Sequence, residues 1–331
     1  LWIPFFLLIL IFEGIHINWG NFLRYFVIAA LLVIPSLRAT SGKLGKALRW
    51  SIVSIGMIYS IGCVVEWLFP SLAYYYKMNM FSGDILTGVL VMANSRRYYA
   101  GFSYQAGYTA GMIAFGVLAS VFLKDSSEIK FKKLLTLLLM AVGMLLTAKR
   151  GHLVFLILSI FFTIYISSKR TKKLKAIIYG LALIILSIVI IHAIYLYTGS
   201  ETLERFVGLF SFMSDREDIS SGRYGLWNIA WELFLDSPLL GIGWRQYSVV
   251  SGVNMDAHNV YIQLLSETGI IGFLSFVIPL IITLLITHGK IKQSLLGEDV
   301  SFRGLMLFSY SMQMFFILYC FTGNPLYDTQ Y

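Results

Sequence analysis

The chain of 331 residues is 58% apolar and only 13% charged, against roughly 45–50% and 25% in soluble domains. Several apolar runs approach the ~20 residues a helix needs to cross a bilayer. That excludes a soluble globular protein and, because lipid offers the backbone no hydrogen-bond partner, dictates an all-α polytopic membrane fold. The net charge of +9 sits largely in alternate loops, as membrane topology demands, so it implies no nucleic-acid partner.

Hydropathy places about nine spans, near 1–12, 21–37, 51–70, 106–123, 131–148, 152–168, 175–197, 259–287 and 304–322. The first run is short for a span and the last stops near a polar Asn324-Pro325 turn, so both ends read as truncated, with further helices expected in the intact protein. No cleavable signal peptide is legible. Cys63 and Cys320 lie in apolar runs without paired spacing, which reads as small buried hydrophobes.

The loops of one side hold 16 of the 26 Lys and Arg residues, and the excess marks that side as cytoplasmic. The long segments 71–105 and 198–258 are then extracytoplasmic loops. The two sides also differ in kind: 12 of the 16 inner residues are Lys, whereas eight of the ten outer ones are Arg. Guanidinium is the fork suited to bidentate phosphate contacts, so the outer face is expected to hold an anionic ligand.

The outer segments supply the candidates. Loop 71–105 carries Tyr74, Tyr75, Tyr76, Arg96, Arg97, Tyr98, Tyr99 and Tyr104, a composition that fits either an interfacial aromatic belt or contacts to a phosphorylated sugar. In the next helix Gly107 and Gly111 form a small-xxx-small pair that predicts close helix packing. Lys149-Arg150-Gly151-His152 closes a helical hairpin, which holds Arg150 at the membrane surface, with His152 as a turn residue. Residues 201–213 predict a short amphipathic helix, and Asp215–Asp218 a solvated acidic turn. Ser221-Gly222 opens a helix that Pro238 ends, with Arg223, Trp227 and Trp231 on one face. His258 stands at the N-terminal end of the following helix, where the helix dipole favours a neutral imidazole able to accept a proton. Glu267, nine residues on, falls on the opposite face and is expected to pair inside the bundle beside a kink at Gly269 or Gly272.

Three stretches carry a family resemblance: Thr147-Ala148-Lys149-Arg150-Gly151; Gly222-Arg223 with Trp227 and Pro238-Leu239-Leu240-Gly241-Ile242-Gly243-Trp244; and Ala257-His258-Asn259 with Tyr261, Gln263, Glu267, Gly269 and Gly272. Over about 135–285 the chain resembles the O-antigen ligase / O-antigen polymerase superfamily, whose Wzy-type members polymerise polysaccharides. Lys149 departs from the small or hydroxyl residue common there. The resemblance implies a GT-C-like helical bundle with a large extracytoplasmic loop, acting on sugars linked to undecaprenyl pyrophosphate at the outer face of the bacterial cytoplasmic membrane. It further implies that Arg150 and Arg223 hold the pyrophosphate and that His258 activates the acceptor hydroxyl. Arg96, Arg97, Arg245 and Trp227 are candidate substrate contacts. Neither metal nor cofactor is called for.

The expected division is 1–130, membrane helices with the outer loop 71–105; 131–287, the ligase/polymerase core with the outer loop 198–258; and 288–331, a C-terminal helix. The expected reaction is inverting transfer that polymerises lipid-linked repeat units into capsular, exopolysaccharide or O-antigen polysaccharide. The Lys-, Ile- and Tyr-rich composition tilts toward polymerase rather than a ligase that moves glycan to lipid A-core. The expected partners are the lipid-linked donor, a glycan acceptor, membrane lipid, a flippase and a chain-length regulator. A lipid-linked glycan transporter is the competing class, with Glu66, Glu267 and His192 as its ionisable groups.

Overall fold

In a computed structural model, the residues described are 5, 43–95, 98–123, 129–168, 171, 173–198, 222–295 and 300–327. Among them the secondary structure is helical throughout: α1 Lys43–Leu68, α2 Pro70–Met80, α3 Gly83–Ser95, α4 Ala106–Phe122, α5 Lys130–Leu146, α6 Arg150–Ser167, α7 Lys173–Thr198, α8 Arg223–Asp236, the single turn α9 Tyr247–Val250, α10 Val260–Ser294 and α11 Val300–Tyr319. The expected spans 1–12 and 21–37, the amphipathic helix 201–213, the acidic turn 215–218 and Arg96 and Arg97 lie outside the described residues. The other seven expected spans fall on helices. Three described helical segments, Gly45–Leu68, Arg150–Ser167 and Val260–Ser294, are long and apolar enough to cross a bilayer. The chain is an all-α membrane protein.

Segment 71–105 is not the loop that its polar aromatic composition suggested. Pro70 sits in the first turn of α2, where its missing N–H costs nothing, and only Phe81-Ser82 separates α2 from α3. The reason is a long-range ion pair: buried Lys77 of α2 donates to buried Glu66 of α1, whose second oxygen takes the Gly101 N–H at 2.7 Å. The Tyr76 hydroxyl donates to the Gly101 carbonyl at 2.8 Å. Lys77 and Tyr76 thereby tie α2 to α1 and to Gly101, while Tyr74 and Tyr75 stay exposed.

The chain divides into two compact units. One comprises Ala39–Ser214 with Ile291–Phe315. Its centre is the mutual packing of α1, α4 and α5. A Cβ on Gly116 would lie 2.9 Å from the Gly56 Cα, and one on Gly143 would lie 2.7 Å from the Ser60 Cα. These are backbone approaches that only glycine allows. The close approach therefore falls at Gly116, not at Gly111 of the expected pair, whose added Cβ would meet nothing within 4 Å. The two ends of this unit are closed by different polar contacts. At one, buried Arg49 of α1 donates through Nε to the Leu123 carbonyl at 2.7 Å, satisfying a C-terminal carbonyl of α4; the Lys-rich start of α1 belongs here. At the other lie Glu66, Gly101 and Tyr99, whose N–H donates to Leu146 at the end of α5 (3.0 Å).

The second unit comprises Leu1–Arg38, Asp215–Lys290 and Phe316–Tyr331. Its core joins Phe5, Trp244, Val260, Leu264, Phe276, Leu280, Cys320 and Tyr327, with Trp244 stacked on Tyr327 at 5.0 Å between centroids. Both cysteines are free and buried.

The glycine contact gives a direct comparison. Gly116→Ala is expected to cost about 1–3 kcal/mol through overpacking, seen as a lower thermal-unfolding midpoint in detergent. Gly111→Ala on the same helix should leave the midpoint unchanged or slightly raised.

Candidate functional site

The organising element of the second unit is a break in α10. Gly269 has φ 61° and ψ −168°, which no helix accommodates, and Pro279 follows within the same run. A continuous helix would pair the Ser266 carbonyl with the Ile270 N–H and the Glu267 carbonyl with the Ile271 N–H. Here all four groups are taken up by the strap 238–243. The Ile242 N–H donates to Ser266 (3.0 Å) and the Gly243 N–H to Glu267 (2.9 Å), while Ile270 donates to Pro238 (2.9 Å) and Ile271 to Leu239 (3.4 Å). The two backbones run so close that a Cβ on Gly241 (φ 72°) or on Gly269 would collide with the opposite main chain. The Pro-Leu-Leu-Gly-Ile-Gly sequence is thus the complement of a broken helix.

Glu267 fastens the chain that leaves the strap. Its fully buried carboxylate accepts the Arg245 N–H at 2.9 Å, the Tyr247 N–H at 3.2 Å and the Gln263 side-chain amide at 3.1 Å. Arg245 is held at φ 61°, and its Nη2 points to the Tyr327 carbonyl at 3.5 Å. The Tyr247 hydroxyl donates to Leu226 of α8 at 2.7 Å. Burial first, and then the charge of Asp256, push that hydroxyl up to about 12. The expectation that Glu267 pairs inside the bundle beside Gly269 holds, but its partners are two backbone amides, the Gln263 amide and the Tyr327 side chain.

Gln263 extends the network toward His258. Its Oε1 accepts the Ala257 N–H (3.0 Å) and the Asn324 amide (3.2 Å), and its Nε2 donates to Asp256 (2.9 Å) as well as to Glu267. On the other side of His258, Asn259 caps α10: its Oδ1 accepts the N–H groups of Tyr261 (3.0 Å) and Ile262 (3.3 Å). The Val260 N–H then donates to Cys320 at 2.9 Å. His258 itself is half-buried with φ 53°, a left-handed conformation that a non-glycine residue keeps only when its surroundings impose it.

Helix α8 arrives at the same place. The Trp227 indole N–H donates to the Ala257 carbonyl at 2.9 Å, so Ala257 is held at both its N–H and its carbonyl. Arg223, one turn earlier on α8, is half-buried in the field of Tyr319, the residue before the Cys320 that receives Val260. Burial pulls its guanidinium below the ordinary arginine value, and Tyr319 partly offsets this. Two tethers, Trp227 to Ala257 and Cys320 to Val260, thereby bring the Arg223 face of α8 to the residues flanking His258. Trp231, on the same face, is 49% exposed.

Arg150 belongs to the other unit. It is the first residue of α6, half-buried, and follows a turn in which Ala148 takes φ 51° and accepts the Arg150 N–H at 3.2 Å. Lys149 lies over the Tyr98 ring at 5.9 Å. Ala148 packs among Tyr98, Leu145, Leu153 and Tyr195. His152 is not a turn residue: it is buried in the first turn of α6 with its ring 6.0 Å from that of Phe315. No cluster of metal-ligating side chains occurs among the described residues.

What reading by residue type missed is the polar frame of Asn259, Gln263 and Glu267. Its signal was there: three polar residues at intervals of four, one stripe on an otherwise apolar helix.

Residues 135–277 match the family model described as O-antigen ligase. That stretch carries a domain consistent with the O-antigen ligase/polymerase superfamily. No curated protein matches the chain.

Glu267→Gln would set an amide donor against backbone N–H groups that need an acceptor. Leaving a buried donor without its acceptor costs about 1–3 kcal/mol, so the substitution is expected to lower the unfolding midpoint well beyond the effect of Glu232→Gln on the exposed part of α8. Thermal unfolding of the purified protein in detergent provides the comparison.

Proposed function

We propose that this chain, through its O-antigen ligase/polymerase domain, is an inverting glycosyltransferase that polymerises undecaprenyl-pyrophosphate-linked repeat units into capsular, exopolysaccharide or O-antigen polysaccharide. It works at the outer face of the bacterial cytoplasmic membrane. The observation that carries the reading is the frame around His258: a histidine fixed in a left-handed backbone conformation, next to a helix bearing an arginine, inside the family-matching stretch.

In the reaction the acceptor hydroxyl oxygen attacks the anomeric carbon, the bond from that carbon to the pyrophosphate oxygen breaks, and the hydroxyl proton passes to His258. Lipid-linked pyrophosphate is already a good leaving group, so the protein has to stabilise the negative charge that develops on it. Arg223 is assigned that task in its unit, with its half-buried setting strengthening the electrostatic interaction. Arg150, at the start of α6, is assigned pyrophosphate contact in the other unit. Arg96, Arg97 and Arg245 remain candidate substrate contacts. Trp227 remains a candidate substrate contact through its ring, while its N–H, committed to Ala257, positions His258. A flippase supplying the lipid-linked unit and a chain-length regulator complete the expected partners.

The ligase reading, transfer of finished glycan to lipid A-core, is kept because the family description names a ligase. It differs only in the acceptor. Composition favours the polymerase.

Proteoliposomes given purified lipid-linked repeat units test the reading: chain growth supports it, and movement of units without new glycosidic bonds sinks it in favour of a transporter. His258→Ala is expected to lower transfer about 10²–10⁴-fold, the range for loss of a general base, while lipid-linked donor still binds. Trp227→Phe keeps an aromatic ring, smaller than the indole, and removes the N–H; it should lower kcat about tenfold, in proportion to one lost hydrogen bond, with little change in KM.

A further inference from the structure

The first unit contains a cavity of about 550 Å³ that the glycosyl-transfer assignments leave unused. Its volume is in the range of small-ligand sites. Trp67 from the end of α1, Tyr74 from α2 and Tyr99 give it aromatic walls, while Ser71 and Asn94 add hydroxyl and amide groups. Glu66 lines it from below, 3% exposed and held by both Lys77 and the Gly101 N–H. The carboxylate is thus fixed and its charge offset by the buried ammonium beside it.

We infer that this cavity is a saccharide subsite, holding an uncharged sugar ring of the glycan. An aromatic face offers a flat apolar surface to ring C–H groups, while side-chain amide and hydroxyl groups pair with sugar hydroxyls. The neutralised Glu66–Lys77 pair supplies no net charge to hold an ionic group, so what the cavity offers a ligand is aromatic surface, hydroxyl and amide. The cavity is also tied to the turn that presents Arg150: the Tyr99 N–H donates to Leu146, and Lys149 lies over the adjacent Tyr98. The subsite deepens the glycosyl-transfer reading and rests on it, with the cavity walls holding a ring of the chain whose pyrophosphate end Arg150 is assigned to bind. The walls are suited to probing, since Trp67 and Tyr74 are 51% and 44% exposed, so shortening them empties no core.

The test uses the full chain in proteoliposomes with lipid-linked repeat units extracted from the producing cell's membranes. Trp67→Ala and Tyr74→Ala are each expected to raise KM about tenfold with kcat within twofold of the parent and an unchanged unfolding midpoint. In parallel, the free repeat-unit oligosaccharide, released from its lipid pyrophosphate by mild acid hydrolysis, should quench tryptophan fluorescence in the parent and not in Trp67→Phe. Unchanged KM in both alanine variants overturns the subsite, and so does phospholipid that co-purifies with the parent and is lost from Trp67→Ala without a kinetic effect. The two readings fail separately. If His258→Ala is inactive while the alanine variants keep the parent KM, only the subsite falls. If the parent forms no glycosidic bond yet Trp67-dependent quenching persists, the transfer reading falls and the sugar site stands.

Discussion

Four backbone groups freed at Gly269 govern the second unit. In a segment apolar enough to lie in lipid, an unpaired amide or carbonyl costs several kcal/mol, so a helix can break there only where another stretch of main chain replaces both lost rungs. The strap 238–243 does so with two donors and two acceptors, and the two glycines exist because nothing larger lets the chains approach that closely. Substitutions near the break therefore act on backbone pairing before they act on any side chain.

From this repair the rest of the frame follows. The break turns Glu267 toward the strap's exit, where it collects the amides of Arg245 and Tyr247; Gln263, one turn earlier, reaches Ala257 and Asp256; Asn259, another turn earlier, closes the helix end. Buried polar groups of this kind are tolerable only when fully partnered, and then they specify one geometry. The consequence is a histidine whose position is set by its neighbours rather than by its own preferences. This is the preorganisation that proton transfer in a fixed site requires.

Sequence periodicity located the helices well because long apolar runs leave little choice: 106–123 was expected and Ala106–Phe122 is found, 175–197 was expected and Lys173–Thr198 is found. The helix opened by Gly222 and stopped before Pro238 was equally legible, since its signals are local. Most of the failures have one cause, dependence on partners remote in sequence. Nothing near Lys77 announces that Glu66 will neutralise it, so α2 reads as loop; α3 instead carries a local apolar run at 85–93, too short to count as a span. Gly111 and Gly116 are alike in sequence, and only the presence of Gly56 opposite one of them decides which makes the contact. Asn259, Gln263 and Glu267 were visible as a stripe, but their partners at 245, 247, 256 and 324 come from turns whose course local rules do not set.

The second unit gathers residues from the beginning, the middle and the last part of the chain. Phe5 packs on Trp244 and Phe276, Trp244 stacks on Tyr327, and the amide of Asn324 completes Gln263. During synthesis, therefore, the α1–α4–α5 packing of the first unit can close while the ribosome is still far from its goal, whereas Phe5 waits for residues made hundreds of codons later. The nascent protein passes through a stage in which α1, α4 and α5 are packed while the partners of Phe5, and the Ile291–Phe315 part of the first unit, are still to be made, leaving apolar groups exposed to the insertion machinery.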